Sequence, residues 1–347
     1  MDLHIKLDNP RQVAVQIYRQ LREAILDGRL RAREAVPSSR DLARQLQVSR
    51  NTVLQAYERL CVEGFLVSRS GSGTFVCEGI ARRSSTAPVN SPLRPREIWN
   101  DIPTGLDMAA TTATFDFRPG IPDASRFPYA PWRARVSRQL HHHAVGTGVP
   151  IAAAGHLELR AALARHIGVS RAVRATADDV LVTSGSQQAF DLIAKVLLAP
   201  GDTVAVEDPG YPLPRRAFYA HGCQVRGVPV DDEGLIVEAI PNETRLVYVT
   251  PSHQYPLGTT MSMARRQALL DWAQRSNATI VEDDYDSEYR YGGRPLESLQ
   301  SLDAAGRVLY VGSLSKVMLP TLRLGFVVAP ASLQAALRKA KFLADWH

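Results

Sequence analysis

The residues with the most chemistry to offer lie in the second half of the chain. The segment GSLSKVMLPTLRLGF, residues 312–326, sets Lys316 just after a β-rich run at Val308–Val311, with Ser313 before it and Arg323 after it. An amine there can condense with an aldehyde, and a hydroxyl and a guanidinium beside it can grip a phosphate. In VEDDYDSEYRY a second β-rich run, Thr279–Glu282, delivers Asp283, with Tyr285 two residues on. A carboxylate so placed can pair with a protonated ring nitrogen, and the phenol can reach a ring hydroxyl. TSGSQQAFDLI turns from strand into helix, so Gly185, Ser186 and Gln187 would present N–H groups at a helix start, a natural seat for an anion. Tyr211 in VEDPGYP offers a ring for stacking or hydrogen bonding. In TPSHQYPLG, Gln254 follows His253 and offers an amide for a ring hydroxyl, while Tyr255 reads equally as packing.

Singly, each signal is weak. A lone lysine is usually a solvated surface group, an acidic stretch is as readily a metal site or a loop, and a strand-to-helix turn is common. Together they supply what pyridoxal phosphate needs: an amine for its aldehyde, an anion at its pyridine nitrogen, donors for its phosphate and a flat partner for its ring.

Something must hold these residues at one place. From about Phe115 onward, helical patterns alternate with short β-branched runs: a helix near 155–168, strand Val180–Thr183, a helix near 186–198 and strand Thr203–Glu207. Then come Gln224–Val228, Leu246–Thr250, a helix near 263–276, and the two runs already named. Such alternation builds α/β units around a mostly parallel sheet, whose ligand sites lie at the strands' C-terminal ends. Each candidate residue follows such a strand.

The first 80 residues have a different pattern. Val13, Ile17, Leu21 and Ile25 recur every four residues and give one helix an apolar face. A second helix follows Pro37 in PSSRDLARQLQV, capped by Ser38 or Ser39, with Leu42 and Leu46 inward. Ser49 caps a third, RNTVLQAYERLCVEG, with Val53, Tyr57 and Leu60 buried and Arg50, Asn51 and Thr52 projecting from its first turn. That is the geometry of a recognition helix entering a DNA groove. FLVSRSGSGTFV then reads as a glycine-turned hairpin, a wing.

Between the halves, ARRSSTAPVNSPLRPRE, residues 81–97, carries Pro88, Pro92 and Pro95 with four arginines and reads as a tether. The expected organisation is a head at 11–78, a linker at 79–112 and a cofactor domain at 113–347. Composition excludes less. The head and its first flank hold 12 Lys/Arg against 9 Asp/Glu, too small an excess to establish nucleic-acid binding, so that reading rests on the motif. Cys61, Cys77 and Cys223 are too few and scattered for a disulfide framework or a zinc site. No run approaches the ~20 apolar residues of a membrane span, and no signal core opens the chain, so a cytoplasmic protein is expected. His141–His143 point in different directions on a helix and make a poor metal site. Trp132 and Trp272 read as core or interface.

PSSRDLARQLQVSRNTVLQAYERL and GSGTFV resemble the GntR family of winged helix-turn-helix regulators. That resemblance implies DNA contact by Arg40, Arg50 and Thr52, with Gly73 at the wing tip. The later motifs, with FRPGIPDASRFP at 117–128, look like the aminotransferase-type domain of fold type I pyridoxal-phosphate proteins. The pairing resembles the MocR group of regulators. It implies a Schiff base at Lys316, Asp283 at the pyridine nitrogen, Tyr285 and Gln254 near the ring hydroxyl, and Ser186, Gln187, Ser313 and Arg323 around the phosphate, with Tyr211 nearby. It also implies a homodimer on a double-stranded operator, a small amino-compound effector, and a working aminotransferase with a DNA-binding head as the rival reading. Chains of this group continue past the point where this one stops, into a small domain with a carboxylate-gripping arginine. A truncated form without that clamp is therefore expected.

Overall fold

The computed structural model describes residues 5–7, 11–69, 71–79, 94–103, 115, 120–140, 152–289 and 297–345. His141–His143 and most of the proposed tether lie outside these residues. The chain divides into two compact units, Met1–Arg94 and Pro95–His347.

In the first unit, α1 (Val13–Leu26), α2 (Ser39–Leu46) and α3 (Arg50–Val62) surround one apolar cluster. Ile17, Leu21, Leu42, Val53 and Leu60 have no exposed surface, and each such side chain stabilises the unit by about 1.5–3 kcal/mol. The sequence sets the boundaries too. Ser38, not Ser39, caps α2, its hydroxyl accepting from the Asp41 N–H, and Gln47 ends the helix in the left-handed region at φ 55°. Two residues later the Ser49 hydroxyl accepts from the Thr52 N–H and starts α3. The expected hairpin is β2 (Leu66–Arg69) against β3 (Gly73–Val76). A third strand that the sequence reading did not foresee, β1 (Ala35–Val36), pairs on the other side of β3. Two residues ending before a proline carry too little pattern to announce a strand.

The second unit is built on an eight-stranded sheet: β4 (Val180–Thr183), β5 (Thr203–Asp208), β6 (Gln224–Asp231), β7 (Gly234–Leu235), β8 (Thr244–Val249), β9 (Thr279–Asp284), β10 (Val308–Ser313) and β11 (Gly325–Val328). Their order is β4-β11-β10-β9-β8-β5-β6-β7. The central run from β10 to β6 is parallel, whereas β11 runs against both its neighbours and β7 against β6. Alternate residues feed opposite faces. Leu246, Tyr248 and Val281 join Phe190 and Ile193 of α6 (Gly185–Leu197), while Val247, Val249 and Ile280 join Leu269, Trp272 and Ala273 of α8 (Met263–Arg275). Trp272 is therefore core, as expected. Trp132, on α4 (Tyr129–Gln139), is half-buried with its ring edge-on to Phe127. The remaining helices are α5 (Leu157–Arg171), α7 (Pro212–Ala220), α9 (Leu299–Leu302) and α10 (Ala331–Asp345).

Candidate functional site

All the candidate residues of the second unit lie at one edge of the sheet. β4, β5, β8, β9 and β10 run in the same direction, and their C-terminal ends carry Gly185, Tyr211, Gln254, Asp283 and Lys316 in the turns that follow or at the strand end itself. The reversed strand β11 begins at that edge, so Arg323 arrives from the opposite chain direction. Register brings the ends level: Thr183 lies beside Gly325, Gly325 beside Ser313, and Gly312 beside Asp284.

Asp283 is 2% exposed at the end of β9. Its Oδ2 accepts from the Tyr248 hydroxyl at 2.6 Å, while Oδ1 is buried and has no partner among the described residues. Burial pushes the carboxyl up to about 7, Asp284 and Glu207 push the same way, and only the Tyr248 hydrogen bond opposes them. An unpaired buried carboxylate oxygen costs free energy unless a cation or donor meets it. Asp284, on the other face of the strand, is satisfied: it pairs with Arg171 at 2.7 Å and accepts from the Tyr310 hydroxyl at 2.5 Å. The Arg171 guanidinium also donates to Ser252, which ties the end of β9 to the loop before Gln254.

Lys316 is half-buried, and its Nζ donates to the Gly120 carbonyl at 2.5 Å. Burial lowers its ammonium below the ordinary lysine range, with Asp286 and Asp283 opposing, so the neutral, nucleophilic amine is easier to reach. Gly120 has φ 74°, which favours glycine, and a Cβ there would lie 2.5 Å from that Nζ and displace the lysine's end. The Tyr289 hydroxyl donates to the Lys316 carbonyl at 2.8 Å.

The start of α6 is open. Ser184 makes no side-chain cap, so the first-turn N–H groups of Gly185, Ser186 and Gln187 keep their capacity for an anion. Arg323, at φ 51°, donates to the Ser184 carbonyl at 3.2 Å, and its guanidinium lies where a Gly185 side chain would be. A Cβ on Gly325 would meet the Gly185 backbone at 2.7 Å, so the close approach of β11 to this helix start needs glycine. Ser313 is half-buried beside them, and its hydroxyl accepts from the Ser315 N–H at 3.2 Å. The buried Oε1 of Gln187 has no partner among the described residues.

Aromatic rings form a wall. Tyr255 stands edge-on to Tyr211 at 5.3 Å and to Tyr285 at 6.4 Å, and His253 stacks on Tyr285 at 6.0 Å with 12° between the planes. His253 pairs through Nδ1 with Asp286 at 2.6 Å. Burial raises the phenol of Tyr211 to about 12 and also raises that of Tyr285. Gln254 is placed differently from the others. Its Nε2 donates to the Pro209 carbonyl at 2.8 Å and its Oε1 accepts from the Leu257 N–H at 3.1 Å, so both ends hold loops together. Glu207, 1% exposed, belongs to that clamp by accepting from Thr250, and burial pushes it up to about 7.

Sequence reasoning missed Tyr248, Gly120 and Glu207 as contributors. Tyr248 and Glu207 sit inside strands and read as sheet residues, and Gly120 is 196 positions from its partner. Among the described residues there is no group of three or more His, Cys, Asp or Glu side chains placed to hold a metal ion.

In the first unit, Arg40 and Arg50 are exposed at the starts of α2 and α3, and the Arg50 Nε donates to the Ser39 hydroxyl at 3.4 Å. Thr52 is half-buried, its hydroxyl 2.8 Å from that of Ser49. Gly73 is exposed at the hairpin turn with φ 111°, and the Arg69 guanidinium lies 5.3 Å from the Phe75 ring centre.

The residues fit pyridoxal phosphate: a half-buried amine, a buried carboxylate oxygen without a partner, and an uncapped helix start beside a guanidinium. Residues 13–76 match bacterial regulatory proteins of the gntR family, and residues 135–342 match aminotransferase class I and II. The chain is 38% identical over 332 residues to the probable rhizopine catabolism regulatory protein MocR of Rhizobium meliloti, covering 92% of this chain and 65% of that protein. It is 33% identical over 334 residues to the pyridoxine biosynthesis transcriptional regulator PdxR of Corynebacterium glutamicum, covering 95% and 69%. The crystal structure of LysN, an α-aminoadipate aminotransferase from Thermus thermophilus complexed with N-(5'-phosphopyridoxyl)-L-leucine, matches at 33% identity and TM-score 0.61, over 67% of this chain and 60% of that one. The chain thus spans about two thirds of the length of these curated relatives. It belongs to the aminotransferase class I and II family and carries a GntR-family head, the combination of the MocR type.

Proposed function

We propose that this chain is a pyridoxal-phosphate-dependent transcription regulator, with a head at 11–78, a linker at 79–112 and a cofactor domain at 113–347. The observation that carries the reading is the presence of both modules in one chain, in the order and over the length shared with MocR. The cofactor, when bound, supplies an aldehyde for an amine and an electron-withdrawing ring. Lys316 would hold the aldehyde end, and Asp283, whose Oδ1 is buried without a partner among the described residues, would pair with the pyridine nitrogen. Ser186, Gln187, Ser313 and Arg323 would take the phosphate, Tyr285 would reach the ring hydroxyl, and Tyr211 would stack on or hydrogen-bond the ring. Gln254 acts on the ring's surroundings by fixing the loops, since its own amide is committed to Pro209 and Leu257. A small amino compound that competes with Lys316 for the aldehyde is the proposed effector.

In the head, Arg50 meets a guanine edge or a phosphate, Arg40 and Thr52 contact the backbone, and Gly73 lets the wing lie close to the duplex. A homodimer would bring two heads to two half-sites. A cytoplasmic location accords with this role, and no helix among the described residues is long and apolar enough to cross a membrane.

The test is direct. Protein incubated with pyridoxal phosphate and reduced with borohydride should carry a phosphopyridoxyl group, the cofactor less one oxygen, on the peptide containing Lys316. Failure to gain it there overturns the assignment. The second reading, a working aminotransferase, draws on the likeness to solved aminotransferases, and steady turnover of an amino donor would favour it.

A further inference from the structure

Residues 97–102, inside the proposed linker, are fastened to the cofactor domain. The turn Glu97–Trp99 packs against α7, and the Tyr219 hydroxyl donates to the Asp101 carboxylate at 2.9 Å. Ile102, half-buried, lines a shallow cavity together with Arg216, Val225 and Arg226, beside the same helix. This segment is thus held to α7 by the packing of its turn and by one hydrogen bond.

The other end of α7 is the site. Its N-cap is Tyr211, whose phenol lies within electrostatic reach of Asp283 and Arg323 and whose ring meets Tyr255. Tyr211, Arg215 and Tyr219 recur every four residues and so form one row along the helix. Arg215, in the middle of that row, pairs with Asp208 at 3.5 Å, in the turn that leads to Tyr211. Pro214 and Phe218, on the other side of the row, are buried and hold α7 to the sheet. The helix is a rigid rod of about 13 Å, with a cofactor-side ring at one end and the anchor of linker residue Asp101 at the other.

We propose that α7 couples the cofactor site to the linker, with the Tyr219–Asp101 hydrogen bond as the clasp between them. A ligand that repositions Tyr211 tilts or slides the rod, and shifts of ~1–2 Å in one helix are a known means of switching. The clasp passes that shift to residues 95–103, and covalent continuity passes it onward. This inference rests on the proposed function, because it assigns the route by which the cofactor acts.

The experiment uses the full chain as wild type, Tyr219→Phe, Asp101→Ala and Asp101→Asn, each with and without pyridoxal phosphate. Hydrogen exchange is read over residues 95–103, and affinity is read for a duplex covering the DNA upstream of the gene. In the wild type the cofactor should change both exchange and affinity. Tyr219→Phe and Asp101→Ala should bind the cofactor as the wild type does, yet lose most of both responses. Asp101→Asn, whose carbonyl still accepts from Tyr219, should keep most of them. Full responses in Tyr219→Phe and Asp101→Ala would overturn the clasp. A wild type whose DNA affinity ignores the cofactor would overturn the functional reading. The clasp would then stand or fall on whether the cofactor alters exchange over 95–103 and the two variants abolish that change.

Discussion

The head keeps its candidate DNA-contacting arginines apart from its core, whereas the second unit sets one candidate cofactor residue, Asp283, inside the core. Arg40 and Arg50 stand exposed on helices whose opposite faces bury Leu42, Val53 and Leu60. Asp283, by contrast, is a buried strand residue, hydrogen-bonded to Tyr248 and flanked by the Arg171–Asp284 pair. Changes at these exposed arginines should therefore alter DNA binding and leave stability alone. Changes in the cofactor domain should alter both, because the same burial that prepares Asp283 for a cation penalises it when none is present.

The largest effect is expected at Asp283. Asp283→Ala leaves a bound pyridinium without its counter-ion, and breaking a buried charged pair costs about 3–5 kcal/mol. Cofactor affinity measured by fluorescence titration should fall accordingly. The cofactor-free variant should melt lower than wild type, since the substitution also strips the buried Tyr248 hydroxyl of its acceptor, a loss of about 1–3 kcal/mol. A wild-type-like affinity would contradict the role given to Asp283.

The same group predicts a pH dependence. Folding raises the Asp283 carboxyl from the ordinary aspartate range to about 7, so between these limits the folded state binds more protons than the unfolded chain. Stability of the cofactor-free protein should then fall as pH rises from about 4 to about 7. Glu207 and Glu282, both pushed up to about 7 by burial, add to the fall. Bound cofactor offsets the part due to Asp283, so melting curves of loaded protein should show a shallower decline.

Arg50→Ala should weaken DNA binding by about 1–3 kcal/mol, the usual loss for a base or phosphate contact. Its melting temperature should match wild type, and a large drop would break the contrast between head and cofactor domain. The smallest effect is expected at Gly73→Ala. The nearest atoms to an added Cβ are those of the Phe75 ring at 3.9 Å, so the cost is conformational, about 1 kcal/mol for a side chain forced to positive φ. Thermal melting should show a slight loss, with DNA affinity lowered to a similar degree.

Legibility in the sequence divides along the same line. In the head, periods of four and two serine caps place all three helices, because exposure on one side and burial on the other is what periodicity records. In the cofactor domain the parallel strands and the turns bearing Lys316, Asp283 and Gly185 were also legible, since each motif sits where a β-rich run ends. Partnerships across the fold were not. Nothing local reveals that Tyr248 donates to Asp283, that Gly120 accepts from Lys316, or that Gln254 spends its amide on Pro209. The run GFVV gave no sign of its reversed direction, because direction in a sheet is set by the connection before it and not by the strand's own residues.

The central claim is that cofactor held at Lys316 changes how the head reads DNA. Its most direct test is the affinity of wild type and Lys316→Ala for a labelled duplex covering the DNA upstream of the gene, with and without pyridoxal phosphate. Wild-type affinity should shift on the order of 5- to 150-fold, the usual range for coupled sites, and Lys316→Ala should not respond. Equal wild-type affinities with the cofactor demonstrably fixed on Lys316 would contradict the account.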